Sequence, residues 1–293
     1  MSLARTGTLS IIGAGRVGRA LSKLLRRRGW RIGAVVARSA ASSRAAVRAI
    51  GAGKPCARLT PEIFSAGVIL LTTQDSSIAA TSAKLARSLA RGVSPLRGKI
   101  VLHTSGAIDS GVLAPLARLG AAVGSMHPFQ TFSTRGIPDL RGVTFTIEGD
   151  PAAVRMAKRI ARQLGGIPIQ IPAAAKPAYH AAGGFAAAHV LALLEGGTQL
   201  LVALGFPRKQ AQRGLLRMAR QILRNLETLG PQGSWSGPVS RGDFSTVEKH
   251  MAALRKFAPE FRAAHAAMLL LSARALSADH GATLRRLQRV LKK

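Results

Sequence analysis

A glycine-rich hexapeptide near the N-terminus most strongly limits what this chain can fold into. It follows an apolar run, Leu9–Ile12, opens an amphipathic segment, Val17–Arg28, and reads Gly13-Ala14-Gly15-Arg16-Val17-Gly18. In a strand–turn–helix unit, the first glycine permits a tight turn and the second lets the backbone approach a pyrophosphate. The third lets helix and strand pack closely, and the helix N-terminus offers free N–H groups to phosphates. The hexapeptide therefore predicts a dinucleotide-binding turn; the alternative is a glycine turn without a ligand.

The residues about twenty positions later indicate which dinucleotide binds. NAD enzymes usually place Asp or Glu at the end of the second strand to hold the ribose 2′-hydroxyl. This chain has Arg38-Ser39 there, and no acidic residue precedes Glu62. A guanidinium can hold a 2′-phosphate through paired charge-assisted hydrogen bonds, whereas a carboxylate would repel it. The pattern favours NADP as the cofactor, with Arg38 as one more solvated surface arginine as the alternative.

The order of elements predicts an α/β fold followed by an all-α region. Short β-branched runs alternate with helical segments up to Pro172, which is typical of a doubly wound, mostly parallel sheet. The predicted strands are Leu9–Ile12, Ile32–Ala37, Val68–Leu71, Lys99–Leu102, Ala121–Gly124, Val143–Ile147 and Ile167–Ile171. The predicted helices are Val17–Arg28, Ile78–Leu89, Ala152–Leu164, Ala178–Leu204, Arg208–Leu229, Thr246–Leu276, which Pro259 should kink or break, and Leu284–Leu291. We therefore predict an NADP-binding domain at residues 1–172 and a helical substrate and dimerisation domain at residues 173–293.

Composition limits the class of protein. The formal net charge is +31, but the basic residues are scattered and aromatic residues make up only 4%, too few for a base-stacking platform. Nucleic-acid binding is therefore disfavoured, and an anionic small-molecule partner is expected. Cys56 is the one cysteine and no secretory signal is visible, which predicts a cytoplasmic protein.

One apolar segment could be either a membrane-spanning helix or a helix buried within the protein. The segment Ala181–Phe206 is apolar but is interrupted by His189, Glu195 and Gln199. A helix buried in protein explains this better than a membrane span. Because a domain of about 120 residues covers only part of such a helix, we expect a homodimer through the C-terminal helices.

Polar residues follow three of the predicted strands, at the sheet edge where ligands of doubly wound sheets bind. Thr72, Thr73 and Gln74 follow one strand, and Thr104 and Ser105 follow the next, as candidate cofactor contacts. His103 and His127 end two successive strands, and histidine suits proton donation near neutral pH. The alternative is that each histidine ties a turn to the backbone. No carboxylate or thiol stands at ligand spacing nearby, so no metal site is predicted.

Four further segments carry a family resemblance: His103-Thr-Ser-Gly-Ala, Gly124-Ser-Met-His-Pro-Phe-Gln-Thr-Phe, Phe145-Thr-Ile-Glu-Gly-Asp and Gly237-Pro-Val-Ser-Arg-Gly-Asp. Together they resemble a Rossmann-like oxidoreductase family of unknown function, related to pyrroline-5-carboxylate reductase and 6-phosphogluconate dehydrogenase-like enzymes. The resemblance implies an NADP-class cofactor, a 6-phosphogluconate dehydrogenase C-terminal-like helical domain and dimerisation through it. His189 stands where the family usually has Asn. No catalytic lysine of the hydroxyacid dehydrogenase kind is assigned from the sequence, and His180 lies in that vicinity.

Three functions remain open at this point. The first is an NADP-dependent oxidoreductase that transfers a hydride between the nicotinamide and a small carboxylated keto, hydroxy or imine substrate. Its candidate catalytic residues are His127, His180 and His103. Its candidate substrate contacts are His127, His189, Arg241 and Asp243, the last two beside a helix N-terminus that attracts anions. In the plainer interpretation, Asp243 only caps that helix. The second function is a non-catalytic NADP sensor or scaffold, and the third is a nucleic-acid-binding protein.

Overall fold

The computed structural model describes residues 7–89, 96–133 and 136–292, which divide into two compact units, Met1–Ala187 and Ala188–Lys293. The first unit contains an eight-stranded sheet in the order β3-β2-β1-β4-β5-β6-β7-β8. All neighbouring strands are parallel except β6 and β7. The strands are β1 Thr8–Ile12, β2 Arg31–Val36, β3 Lys54–Cys56, β4 Val68–Leu71, β5 Ile100–His103, β6 Ala122–Pro128, β7 Thr144–Gly149 and β8 Ile167–Gln170. The predicted α/β fold with a mostly parallel sheet is confirmed.

Helices cover both faces of this sheet. One apolar cluster joins the strands to α1, α2 and α5, and a second joins them to α3 and α4. The near-continuous apolar strands β4 and β5 are fully buried, as expected for strands covered on both faces. The helices of this unit are α1 Arg16–Arg27, α2 Ala40–Ile50, α3 Asp75–Leu89, α4 Ala114–Ala117, α5 Pro151–Gln163 and α6 Lys176–Ala186.

The second unit is helical in the residues that the structure describes. A small core formed by Val239, Val247, Met251, Ala273 and Leu287 holds its last helices together. Pro259 is the first residue of α10, and the predicted helix Thr246–Leu276 is accordingly interrupted just before it. The helices are α7 Ala188–Ala203, α8 Arg208–Ser234, α9 Phe244–Ala253, α10 Pro259–Leu276 and α11 His280–Leu291.

The structure differs from the sequence prediction around residue 187. The predicted single helix Ala178–Leu204 is broken at Ala187, whose backbone is not helical (φ −118°, ψ −85°). Helix α6 therefore belongs to the first unit, and the division falls beyond Pro172. The helix α2 and the short strand β3 were not predicted, because the segment around α2 is rich in alanine, serine and arginine and lacks a clear apolar period.

The same break bears on the membrane question. By length and composition alone, the stretch Ala173–Ala203 would suffice to cross a membrane, and 6% of its most apolar window is buried within the chain. A spanning helix needs about 20 continuous residues. The structure divides this stretch into two helices of 11 and 16 residues. Large apolar side chains of α7 are exposed in the single chain, among them Leu191 at 70%.

Candidate functional site

The turn after β1 has the geometry that a dinucleotide pyrophosphate requires. Gly13 adopts φ +92°, and a Cβ there would lie 2.6 Å from the backbone nitrogen of Thr73. A Cβ on Gly18 would collide with the Thr72 hydroxyl, so helix α1 approaches the strands as closely as glycine permits. A Cβ on Gly15 would meet only the Gly13 carbonyl oxygen, at 3.9 Å, and would otherwise point into open space. The three glycines thus divide the roles of turn, open cradle and close packing as the motif predicts.

Two residues after β4 complete this turn. The Thr72 hydroxyl donates to the Gly13 carbonyl oxygen at 2.6 Å and fixes the glycine turn to the neighbouring strand. The Thr73 hydroxyl oxygen is buried and has no hydrogen-bond partner among the described residues. Such a group is costly to leave unpaired, so its position beside Gly13 fits a polar ligand. Gln74 lies at the surface just before α3.

A basic residue follows β2, at the position where the adenosine ribose of a dinucleotide would lie. Arg38 and Ser39 follow β2, and both are exposed. Ser39 is the N-cap of α2, because its side-chain oxygen accepts from the backbone N–H of Ser42 at 3.1 Å. No carboxylate stands in this segment, so the position suits a 2′-phosphate.

The loop after β5 is held by internal hydrogen bonds. The ring of His103 is fully buried, with Nε2 3.1 Å from the Asp109 carbonyl oxygen and Nδ1 accepting from the Ser105 N–H at 3.2 Å. Burial, and next the charge of Lys176, lowers the pKa of His103 to about 4. Both ring nitrogens are thus used by the backbone. This geometry favours the turn-tying alternative for His103 over proton transfer.

The hydroxyl of Ser105 is used in the same loop. It donates to Asp75 Oδ2 at 2.7 Å and accepts from the N–H groups of Ala107 and Ile108. The backbone N–H and carbonyl oxygen of Ser105 are also used, by His103 and Lys176, so the structure favours a loop-holding role for Ser105 over the predicted contact with the cofactor. Thr104 donates its N–H to the Leu71 carbonyl oxygen at 3.1 Å, which leaves its side chain for a ligand.

Lys176 is a buried charged residue at this end of the sheet for which the sequence predicts no role. It is the first residue of α6 and only 1% exposed, and its Nζ donates to the Ser105 carbonyl oxygen at 2.9 Å and to Ser125 Oγ at 2.7 Å. Burial lowers its pKa, and the buried carboxylate of Glu148 is the largest opposing influence. The signal available in the sequence was a lysine followed by proline, which is typical of a helix start. Lys176 therefore connects the start of α6 to the loop after β5 and to strand β6.

His127 lies at the centre of a cluster on this edge of the sheet. It is the second last residue of β6, and its Nδ1 is hydrogen-bonded to the Tyr179 hydroxyl at 2.8 Å. The rings of His127 and His180 stand edge to face, with centroids 6.0 Å apart. A Cβ on Gly106 would lie 3.0 Å from Nε2 of His127, so the ring packs against Gly106 more closely than a larger residue would allow.

The charge state of His127 follows from its surroundings. Burial is the main cause that lowers its pKa to about 4, and the charge of Lys176 is the next. The imidazole is therefore neutral at pH 7 and carries one ring proton. Burial also raises the pKa of Tyr179 above its usual value, so the phenol keeps its proton. The cluster thus presents neutral hydrogen-bond donors at the strand end.

The remaining predicted contacts belong to the second unit. Arg241 ends a short 3-10 helix and is exposed, and His189 is an exposed residue in the first turn of α7. Asp243 is the N-cap of α9: its oxygens accept from the Thr246 N–H and from the hydroxyls of Ser245 and Thr246. These hydrogen bonds, that of the Thr246 hydroxyl first, hold the pKa of Asp243 at about 2. The capping interpretation is thereby favoured for Asp243.

Two models of known domain families match the chain. Residues 3–128 match the model of a Rossmann-like domain, and residues 143–270 match that of a domain of unknown function, DUF2520. The two matches agree with the Rossmann-like and unknown-function resemblance drawn from the sequence motifs, which is thereby confirmed. No curated protein matches the chain.

Several solved structures share the whole fold. A protein of Bacteroides fragilis, provisionally assigned as an NADP oxidoreductase, is similar over 99% of this chain and 98% of its own, with 20% identity and a TM-score of 0.70. The protein TM1727 of Thermotoga maritima is similar over 97% of this chain and 98% of its own, with 21% identity and a TM-score of 0.65. The reductive aminase of Aspergillus terreus, solved with NADPH and ethyl-5-oxohexanoate, is similar over 98% and 94%, with 17% identity and a TM-score of 0.62. At these identities the matches show the shared fold.

Proposed function

We propose that this protein is an NADP-dependent oxidoreductase that transfers a hydride between the nicotinamide and a small carboxylated keto, hydroxy or imine compound. The observation that carries the proposal is that the phosphate-binding turn and the His127 cluster lie at one edge of one sheet. The strands β1, β4, β5 and β6 are adjacent and parallel, so their carboxyl ends share that edge. Three strand spacings separate Gly13 from His127 laterally by about 14 Å.

The residues of the first unit divide the work of the reaction between them. Gly13, Gly15 and the N-terminus of α1 would hold the pyrophosphate, and Arg38 would hold the 2′-phosphate. The bound cofactor would supply the hydride. His127 would donate a hydrogen bond and then a proton to the substrate oxygen or nitrogen through Nε2, since its Nδ1 is already hydrogen-bonded to Tyr179. Lys176 would not contact the substrate, because its Nζ already donates to Ser105 and Ser125; it would instead position these residues.

Two lines support this proposal over a non-catalytic sensor. Polar and titratable groups converge at the strand ends with strongly shifted pKa values, which is more frequent at catalytic sites than at purely structural ones. The reductive aminase that was solved with NADPH and ethyl-5-oxohexanoate also has a similar overall fold. Arg241, exposed ahead of α9, is proposed to attract the carboxylate of the substrate.

The experiment that tests the function is a screen for NADPH oxidation, followed by absorbance. Keto acids and cyclic imines are offered with NADPH, the corresponding hydroxy acids and amines with NADP, and each neutral ester serves as a control. Turnover of the acids over their esters is the expected result. Tight NADPH binding without turnover of any compound would favour the sensor instead.

A further inference from the structure

Tyr179 and Gly106 lie next to different nitrogens of the His127 ring: Tyr179 next to Nδ1 and Gly106 next to Nε2. Its hydroxyl lies 2.8 Å from Nδ1 of His127, and the two rings meet edge to face at 5.6 Å. The opposite side of the imidazole, with Nε2, faces Gly106. Tyr179 is the single tyrosine of the chain and is partly buried.

A histidine in this environment faces a difficulty as a proton donor. With a pKa of about 4, only about one His127 ring in a thousand is an imidazolium at pH 7. The surrounding titratable groups are Tyr179, His180 and Lys176 from α6, His103 from β5 and Asp75 from α3. Among them, Tyr179 lies within hydrogen-bond distance of the ring, with its hydroxyl 2.8 Å from Nδ1. A neutral imidazole can still pass a proton if it receives another one on its second nitrogen at the same time.

We propose that Tyr179 is a relay residue that delivers a proton through His127 to a carbonyl substrate. This inference rests on the proposed function. The Tyr179 hydroxyl donates to Nδ1, so the ring proton of neutral His127 resides on Nε2. When the hydride forms the new C–H bond, the alkoxide oxygen takes the proton from Nε2 while Nδ1 takes the proton from Tyr179. NADPH becomes NADP⁺ and the carbonyl becomes an alcohol. His127 is then the neutral Nδ1–H tautomer beside a tyrosinate. The starting state returns when Nδ1 gives its proton back to Tyr179 and Nε2 takes a proton from water.

The test compares Tyr179→Phe with the native protein in single-turnover hydride transfer. The variant keeps the ring that packs against Phe129, whose centroid lies 5.1 Å away, and removes only the hydroxyl. Hydride transfer should slow by roughly 10²-fold at pH 7, within the usual range for general acid catalysis. The rate of the variant should also fall about tenfold per pH unit from pH 5 to 8, because it then depends on imidazolium. The native rate should stay flat over this range.

Two further measurements separate a relay from a structural role. Phe129→Leu is the matched control, because it disturbs the packing of the Tyr179 ring without removing a proton, and its pH profile should stay flat. Nitrogen NMR of His127 in the native protein should show the Nε2–H tautomer. A Tyr179→Phe rate and profile like the native ones, or a dominant Nδ1–H tautomer, overturns the relay alone. Absence of NADPH oxidation with every carbonyl compound overturns the proposed function and the relay with it.

Discussion

Alanine substitutions at two glycines of the same turn should have opposite consequences. A Cβ at position 18 would collide with the Thr72 hydroxyl and lie 3.0 Å from the Gly13 carbonyl oxygen, the two atoms joined by a 2.6 Å hydrogen bond. Overpacking of this kind costs about 1–3 kcal/mol, and the weakened hydrogen bond adds about 1 kcal/mol. Alanine in a helix returns about 0.5–1 kcal/mol. Gly18→Ala should therefore lower the free energy of unfolding by about 1–3 kcal/mol.

Gly15→Ala should change the stability of the protein little but weaken the binding of NADPH. The backbone at Gly15 has φ −77°, which alanine adopts freely, and the new methyl group would point into open space. The free energy of unfolding should fall by no more than about 1 kcal/mol, because alanine is a poorer N-cap residue than glycine. The same methyl group would occupy the space of the pyrophosphate, so NADPH affinity should fall at least tenfold. Urea unfolding and titration calorimetry measure the two quantities, and native NADPH affinity in Gly15→Ala would refute the assignment of this turn.

Four further predictions concern specificity, chemistry and assembly. Arg38→Asp should invert the preference for NADPH over NADH, since a paired charged contact contributes about 1.5–3 kcal/mol; equal affinities of the native protein for both cofactors in calorimetry would contradict this. His127→Ala should lower turnover by roughly 10²–10⁴-fold with normal NADPH binding, whereas His103→Ala should mainly reduce the free energy of unfolding; near-native turnover of the first variant would exclude the proposed role. Arg241→Ala should raise the KM for an acid substrate and leave NADPH affinity intact, and equal use of acids and neutral esters by the native protein would argue against an anion site. The native chain should be a homodimer in light scattering at micromolar concentration, and Leu191→Gln should weaken it; a monomeric native mass would rule out the dimer.

Much of the fold could be predicted because local patterns carry it. The positions of β1, β4 and α1 follow from apolar runs and from a glycine pattern with a local physical cause. The break at Ala187 could not be predicted, because its sequence surroundings are apolar and alanine-rich on both sides. The backbone there follows tertiary packing instead of local propensity.

The candidate site was predictable only where its residues follow strands. His127 and Thr72 were found because parallel strands place their carboxyl ends together. Lys176 was missed because its partners, Ser105 and Ser125, lie 71 and 51 residues earlier in the chain, a separation that no local pattern reports.

The contacts of Lys176 also constrain how such a protein can diverge. Lys176 lies in the segment that matches the DUF2520 domain, whereas both of its hydrogen-bond acceptors lie in the Rossmann-like segment. A foreign Rossmann-like segment without matching acceptors would leave a buried cation unpaired, at a cost of several kcal/mol. The two segments are therefore expected to be inherited and recombined as a pair. New substrate preferences would then arise by substitutions around a retained lysine instead of by exchange of whole domains.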